Sequence, residues 1–297
     1  MSCGESHGFK GITTYPGVTA HAYLRWLQTQ GERSTCDLNF GSEETGWLFQ
    51  QRELHNRRAP GNTCISALRA MSTLGQPARN NSKGCGGVMR VAPVGLFAWH
   101  FRKHESPEDA FRLGAELAAL THGHPTGALT GGVLAVLILA LTDGASLPEA
   151  LAASKSILRE QPEHEETLRA IEMAETLAAS DLSNVEAIIQ LGQGWIAEEA
   201  LAISIYCSLV ARNFKHGVIL AVNHDGDSDS TGSITGNLLG AMHGVRAIPS
   251  EWLEPLELRD VIKTLAEDLY AFKDWEIGEY SENSEMNRLI WQKYPGF

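Results

Sequence analysis

Residues 223–232 read Asn-His-Asp-Gly-Asp-Ser-Asp-Ser-Thr-Gly, with carboxylates at Asp225, Asp227 and Asp229 and hydroxyls at Ser228, Ser230 and Thr231. Like charges this close repel one another, and a hard cation such as Mg²⁺ or Ca²⁺, which takes oxygen ligands, would relieve the repulsion. The segment therefore reads as a metal site. An EF-hand loop is excluded, because the positions needing glycine and glutamate hold Ser230 and Gly236. A phosphatase with an aspartate nucleophile would need alternating strands and helices to build a parallel sheet, and the chain lacks that pattern. A solvated turn capping a helix over 231–242 remains as the plain alternative.

A second segment has the opposite character. Residues 80–90 read Asn-Asn-Ser-Lys-Gly-Cys-Gly-Gly-Val-Met-Arg. Without side chains at Gly84, Gly86 and Gly87, backbone N–H groups can approach phosphate or ribose oxygens. The spacing is not that of a P-loop, since Lys83 precedes the glycines, and taken alone a structural turn is the simpler account. Pro60-Gly61-Asn62-Thr63 by itself is a turn or a helix start. Thr121-His122-Gly123-His124-Pro125 offers two histidines but no third ligand at zinc spacing. His122 is either a hydrogen-bonding group on a pocket wall or a helix-end cap. His100 and His104 lie four apart without the H-E-x-x-H pattern. Cys85 could be a nucleophile, but no partner base is identifiable.

The elements that would position these residues are helical. Ser106-Pro107-Glu108-Asp109 is a strong start signal for a helix running to Thr121, and Ser146-Leu147-Pro148-Glu149 and Ser183-Asn184-Val185-Glu186 resemble it. Further helices are expected near 20–29, 127–141, 198–210 and 255–272. The one strand candidate, 218–222, is short enough to be a helix end. One all-α domain is the economical reading. The balance of 24 basic against 36 acidic residues, a net charge of −12, argues against nucleic-acid or anionic-membrane surfaces. Five scattered cysteines without a C-x-x-C pair suggest reduced thiols and a cytoplasmic protein. The first residues show no signal peptide, and the apolar stretch 131–141 is too short to span a bilayer.

Taken together, residues 60–64, 82–90, 121–125, 195–207 and 224–237 resemble the ADP-ribosylglycohydrolase family, which includes the dinitrogenase-reductase-activating glycohydrolases. The resemblance implies a compact all-α fold that cleaves the bond joining ADP-ribose to a protein side chain or small acceptor. It also implies a pair of Mg²⁺ ions, or Mn²⁺ in some members. On that basis Asp227, Asp229 and Ser230 are expected as metal ligands, with Asp227 and Asp229 catalytic. Asn62, Ser82, Lys83, Gly84, Cys85, Gly86, Gly87 and Met89 would cradle ADP-ribose, and His122 would contact the substrate. Two metals about 4 Å apart can hold ribose hydroxyls and orient a water, while carboxylates balance an oxocarbenium-like transition state. The family also carries a Thr-Asp-Asp-Thr ligand cluster near its N-terminus, after a Gly-Asp glycine-rich segment. Before residue 60 this chain has only Glu5, Glu32, Asp37, Glu43, Glu44 and Glu53, none in that pattern. The expectation is an N-terminally incomplete domain over 1–297 with half of the dinuclear site missing, unless Glu43 and Glu44 substitute. The alternative reading is a catalytically impaired ADP-ribose-binding homologue.

Overall fold

The computed structural model describes residues 14–36, 45–101, 103, 106–277 and 284–295, and the described residues carry fifteen α-helices. The sole β pairing among them is an isolated bridge between Gly84 and Ile196. The chain is all-α, as its patterning predicts. Its backbone groups into two compact units, residues 1–79 with 260–297 and residues 80–259.

The first unit opens with α1 (Tyr15–Thr29), where the Thr14 hydroxyl accepts the Gly17 N–H at 3.1 Å and Pro16 occupies the first turn. Two shorter helices follow, α2 (Gly46–Phe49) and α3 (Asn62–Ala70). The segment after α1 is tied to the end of α3 by Thr35 N–H to Arg69 O and Cys36 N–H to Met71 O. Cys36 is disulfide-bonded, which corrects the expectation of reduced thiols throughout; Cys85 and Cys207 are free thiols. Glu43, Glu44 and His104 lie outside the described residues.

The second unit contains α4 (Ala92–Phe101), α5 (Pro107–Ala119), α6 (Pro125–Thr142), α7 (Leu147–Arg159), α8 (Glu165–Ala178), α9 (Asn184–Leu191), α10 (Ala197–Leu209), α11 (Phe214–Val222), α12 (Ser228–His243) and α13 (Ser250–Leu253). At its centre α6 is apolar on every face, so it is stable only when covered all round. Helices α4, α5, α7, α10 and α12 do this. Gly114 and Gly131 let α5 and α6 approach so closely that a Cβ on Gly131 would lie 2.8 Å from that of Ala118. With its first turn included, α6 has 18 residues and is long and apolar enough to cross a membrane, more than the stretch 131–141 suggests. Because 78% of it is buried in the fold, it is the core of this unit.

The remaining helices, α14 (Arg259–Ala271) and α15 (Ser284–Lys293), return to the first unit. Near the end of the second unit the structure departs from the sequence reading. The strand candidate 218–222 is the end of α11, and the late helix begins at Arg259 because Leu258 takes φ of +57° and interrupts the turn.

Candidate functional site

The acidic turn joins α11 to α12 and is seated by its own backbone. Asp227 N–H donates to Gln193 O at 2.7 Å. Gly226 makes that contact feasible, since a Cβ there would lie 1.9 Å from the same oxygen. His224 completes the seat: its Nδ1 accepts the Gly226 N–H at 3.0 Å, and its Nε2 meets Thr231 Oγ1 at 2.9 Å. Thr231 in turn donates to Ala221 O at 2.6 Å. With the turn fixed, α12 starts at Ser228, three residues earlier than the 231–242 reading, and Asp229 and Ser230 fall in its first turn.

Asp227 is buried, whereas Asp229, two residues on, is exposed, and the carboxylates of the two lie against each other. This contact, with burial, lifts the Asp229 carboxyl above the usual carboxylate range. Burial opposes ionisation of Asp227 too, but the bonds from Asp229, Cys85 and Ser230 outweigh it and hold Asp227 low. Their contact thus pushes the two carboxyls in opposite directions, Asp229 up and Asp227 down. Asp225, also an expected part of the acidic cluster, is exposed.

Against this pair lies the glycine loop. The Cys85 thiol donates to Asp227 Oδ2 at 2.8 Å. The Ser230 hydroxyl lies 3.3 Å from Cys85 Sγ and 3.5 Å from Met89 Sδ. Burial, then the neighbouring Asp227, pushes the Cys85 thiol up to about 12. A thiol so protonated is a hydrogen-bond donor and a poor nucleophile, which removes the nucleophilic reading of Cys85.

The glycines answer chiefly to His122. This side chain is 1% exposed, and a Cβ on Gly87 would sit 3.2 Å from its Nδ1, while one on Gly84 would sit 3.3 Å from its Nε2. Burial, then the nearby Arg90 charge, pulls the His122 imidazole down to about 4, so it is neutral at ordinary pH. Its Nδ1 is 2.8 Å from Thr121 Oγ1. His122 is thus packed behind the loop as a wall, and Gly86 lies in the turn that follows. Ser82 shapes the entry to the loop: its Oγ accepts the Gly84 N–H at 3.3 Å and its carbonyl accepts the His124 N–H at 3.2 Å.

Of the other residues singled out from the sequence, Lys83 and His124 have partners of their own and Asn62 belongs to the first unit. The Lys83 ammonium is held by Glu166 and Glu198. His124 caps α6 through the Thr126 N–H. Asn62 is the first residue of α3 in the other unit. Residues that sequence reasoning missed do the assembling. The segment 192–196 is pinned by Glu199 Oε2, which accepts the Gln193 and Gly194 N–H groups at 2.9 and 3.1 Å. From there Gln193 O holds Asp227 and Trp195 O holds the Cys85 N–H at 3.2 Å. Asn80 braces the other side, donating to Thr121 O at 2.9 Å and accepting from Gly123 N–H at 3.0 Å. The Trp195 ring is 57% exposed next to this junction. Gln193 and Asn80 are short-range bridges between distant segments, and nothing in one sequence marks them.

The donors gathered at the start of α12 are two carboxylates and a hydroxyl. Mg²⁺ is ordinarily held through one or two carboxylates with waters, so this hard-oxygen set fits one such ion. Among the described residues no group of three or more His, Cys, Asp or Glu side chains is gathered for metal binding.

A family model for ADP-ribosylglycohydrolase matches residues 5–277, and the chain belongs to that family. It is similar to an uncharacterized protein of Archaeoglobus fulgidus, 32% identical over 199 residues, covering 64% of this chain and 58% of that one. It is also similar to the ADP-ribosylarginine hydrolase Tri1 of Pseudomonas putida, 25% identical over 190 residues, covering 64% and 46%. The chain thus spans about half the length of these relatives. Among solved structures, an ADP-ribosylglycohydrolase-related protein complex matches with a TM-score of 0.52 at 26% identity, covering 88% of this chain and 81% of that one.

Proposed function

We propose that this chain hydrolyses the glycosidic bond between ADP-ribose and a protein side chain or small acceptor, with a divalent ion held at the start of α12. The carrying observation is the Asp227–Asp229 carboxylate pair, kept together by a backbone seat although like charges repel. Asp227, Asp229 and Ser230 would hold Mg²⁺ or Mn²⁺, the two acids being the catalytic pair. Such an ion, when bound, gathers ribose hydroxyls and lowers the pKa of a water.

The chain's own residues supply the rest. Cys85 donates to Asp227 Oδ2 and holds that carboxylate in one orientation. The turn around Gly86 offers backbone N–H groups for phosphate or ribose oxygens. His122, neutral and enclosed, keeps the loop in place from behind. The exposed Trp195 ring gives a flat apolar surface on which a base can stack. Buildup of positive charge on the ribose would be balanced by the two acids. Arginine is supported as one acceptor by the name of the Pseudomonas putida relative.

A second reading, ADP-ribose binding without turnover, is favoured by one observation: among the described residues no group of three or more His, Cys, Asp or Glu side chains is gathered for a metal. The test is Mg²⁺-dependent release of ADP-ribose from modified protein by the wild type and by Asp227→Ala. Release that depends on Mg²⁺ and vanishes in the variant supports the hydrolase. Binding of ADP-ribose without release supports the second reading.

A further inference from the structure

Lys83 begins the glycine loop, and a lysine there invites a phosphate-binding role. Its surroundings speak against that. The ammonium lies between the carboxylates of Glu166 and Glu198, one positive charge facing two negative ones. Burial pulls the Lys83 ammonium down, but bonds to Glu166 and Glu198 more than offset this and hold it above the ordinary lysine range. An incoming phosphate would meet a locally negative cluster, and Lys83 would have to abandon a buried partner to greet it.

The cluster is built to hold the loop. Glu166 is the second residue of α8, and its other oxygen accepts the Thr126 hydroxyl from the first turn of α6. Glu198 is the second residue of α10; its side chain is 7% exposed, and its Oε2 is buried with no hydrogen-bond partner. Both acids sit at the positive ends of their helices, which attract negative charge. Next to the ammonium, the Lys83 carbonyl accepts the Ala197 N–H at 2.8 Å. Two helix starts therefore converge on this one residue, two positions before Cys85, and that of α6 joins them through Glu166.

We propose that Lys83 is a positioning residue for the candidate site: its double ion pair with Glu166 and Glu198 clamps the glycine loop so that the Cys85 thiol meets Asp227. This rests on the functional reading above only for what the positioned loop serves; the clamp can be measured without it. The experiment compares wild type, Lys83→Met, Lys83→Arg and Glu198→Gln by amide hydrogen exchange at residues 84–90 and by Mn²⁺ binding, read from the resonance signal of the free ion. Lys83→Met and Glu198→Gln should both speed exchange across the loop, and both should weaken Mn²⁺ binding by roughly tenfold to a hundredfold, the usual effect of removing support behind metal ligands. Lys83→Arg should restore most of both. If Lys83→Met does not fold, because Glu198 is left bare, the double variant Lys83→Met/Glu198→Gln removes that charge and should show the same losses.

Two outcomes overturn the proposal. One is a folded Lys83→Met protein with loop exchange and Mn²⁺ affinity within about twofold of wild type. The other is Lys83→Met weakening ADP-ribose binding while Glu198→Gln tightens it, as expected if the ammonium met phosphate once released from its acid. A wild type that binds neither Mn²⁺ nor ADP-ribose would sink the functional reading, while the exchange data would still decide the clamp.

Discussion

Helices α7 and α9 begin with the same ingredients as α12, a hydroxyl and an acid, yet use them differently. At α7 the Glu149 carboxylate turns back to accept the Ser146 N–H at 2.8 Å, and at α9 Glu186 accepts the Ser183 N–H at 3.0 Å. Bonds from those serines hold both carboxyls below the usual range. Asp227 stands at the N-cap of α12, where Ser146 and Ser183 stand in the other two, but makes no side-chain capping bond. It faces Asp229 and Cys85 instead, and Asp229 is pushed above the usual range. An acid that caps a helix stabilises the fold; an acid held against another acid does so only if something positive joins it. The difference sets the start of α12, where we propose that the ion is held, apart from the two helix caps.

Five experiments break or sharpen that contrast. The largest effect is expected for Asp227→Ala, which should cut Mg²⁺-dependent ADP-ribose release by about 10²- to 10³-fold, the loss typical of one electrostatic group in an active site. Residual release near the wild-type rate would place the acid pair on the structural side of the comparison.

Gly226→Ala should cost about 3 kcal/mol of stability by denaturant unfolding, because the added carbon cannot coexist with Gln193 O and the seat must shift. A variant as stable as wild type would show that the seat is not rigid.

A pH series comes next. His122 and His21 are held down to about 4 and about 3, His122 by burial and then Arg90, and His21 by burial and then Arg25. The unfolded chain takes up those protons below about pH 6.5 while the fold does not, so their contribution is full above that pH and is lost as pH falls. Each histidine contributes a slope of up to about 1.4 kcal/mol per pH unit between 6.5 and its folded value. His122→Asn should remove one such slope, and an unchanged slope would contradict the enclosed imidazole.

Ser183→Ala should cost about 1 kcal/mol as a lost helix cap and leave ADP-ribose release untouched. Smallest of all, Asp229→Asn should raise stability by a few tenths of a kcal/mol without added metal, by removing a like-charge contact, and should abolish the gain in melting temperature that Mg²⁺ gives the wild type. A loss of stability in that variant would mean that Asp229 is a cap like Glu186.

Much of the fold was legible from local chemistry. The helix starts at Ser106, Ser146 and Ser183 are visible because a hydroxyl and an acid three residues later satisfy the same backbone N–H groups wherever they occur. The core helix α6 is visible because an all-apolar helix must be enclosed. Less legible were α4 and α8. The His164 side chain makes no capping bond at the start of α8, and α4 continues an apolar stretch without a polar face. The disulfide at Cys36 was not legible either, since pairing depends on separation in space.

The sequence by itself determined that the chain is helical, that residues 223–232 crowd carboxylates into one turn, and that the family is ADP-ribosylglycohydrolase. Those follow from periodicity, local charge and motif order. Only the tertiary structure decided which neighbours the turn would have. It set Cys85 against Asp227, gave the glycines to His122, and directed Lys83 to Glu166 and Glu198, with 115 positions separating Lys83 from Glu198. Contacts over such separations depend on how whole helices pack, and residue types in one linear string do not encode which distant partner each will meet.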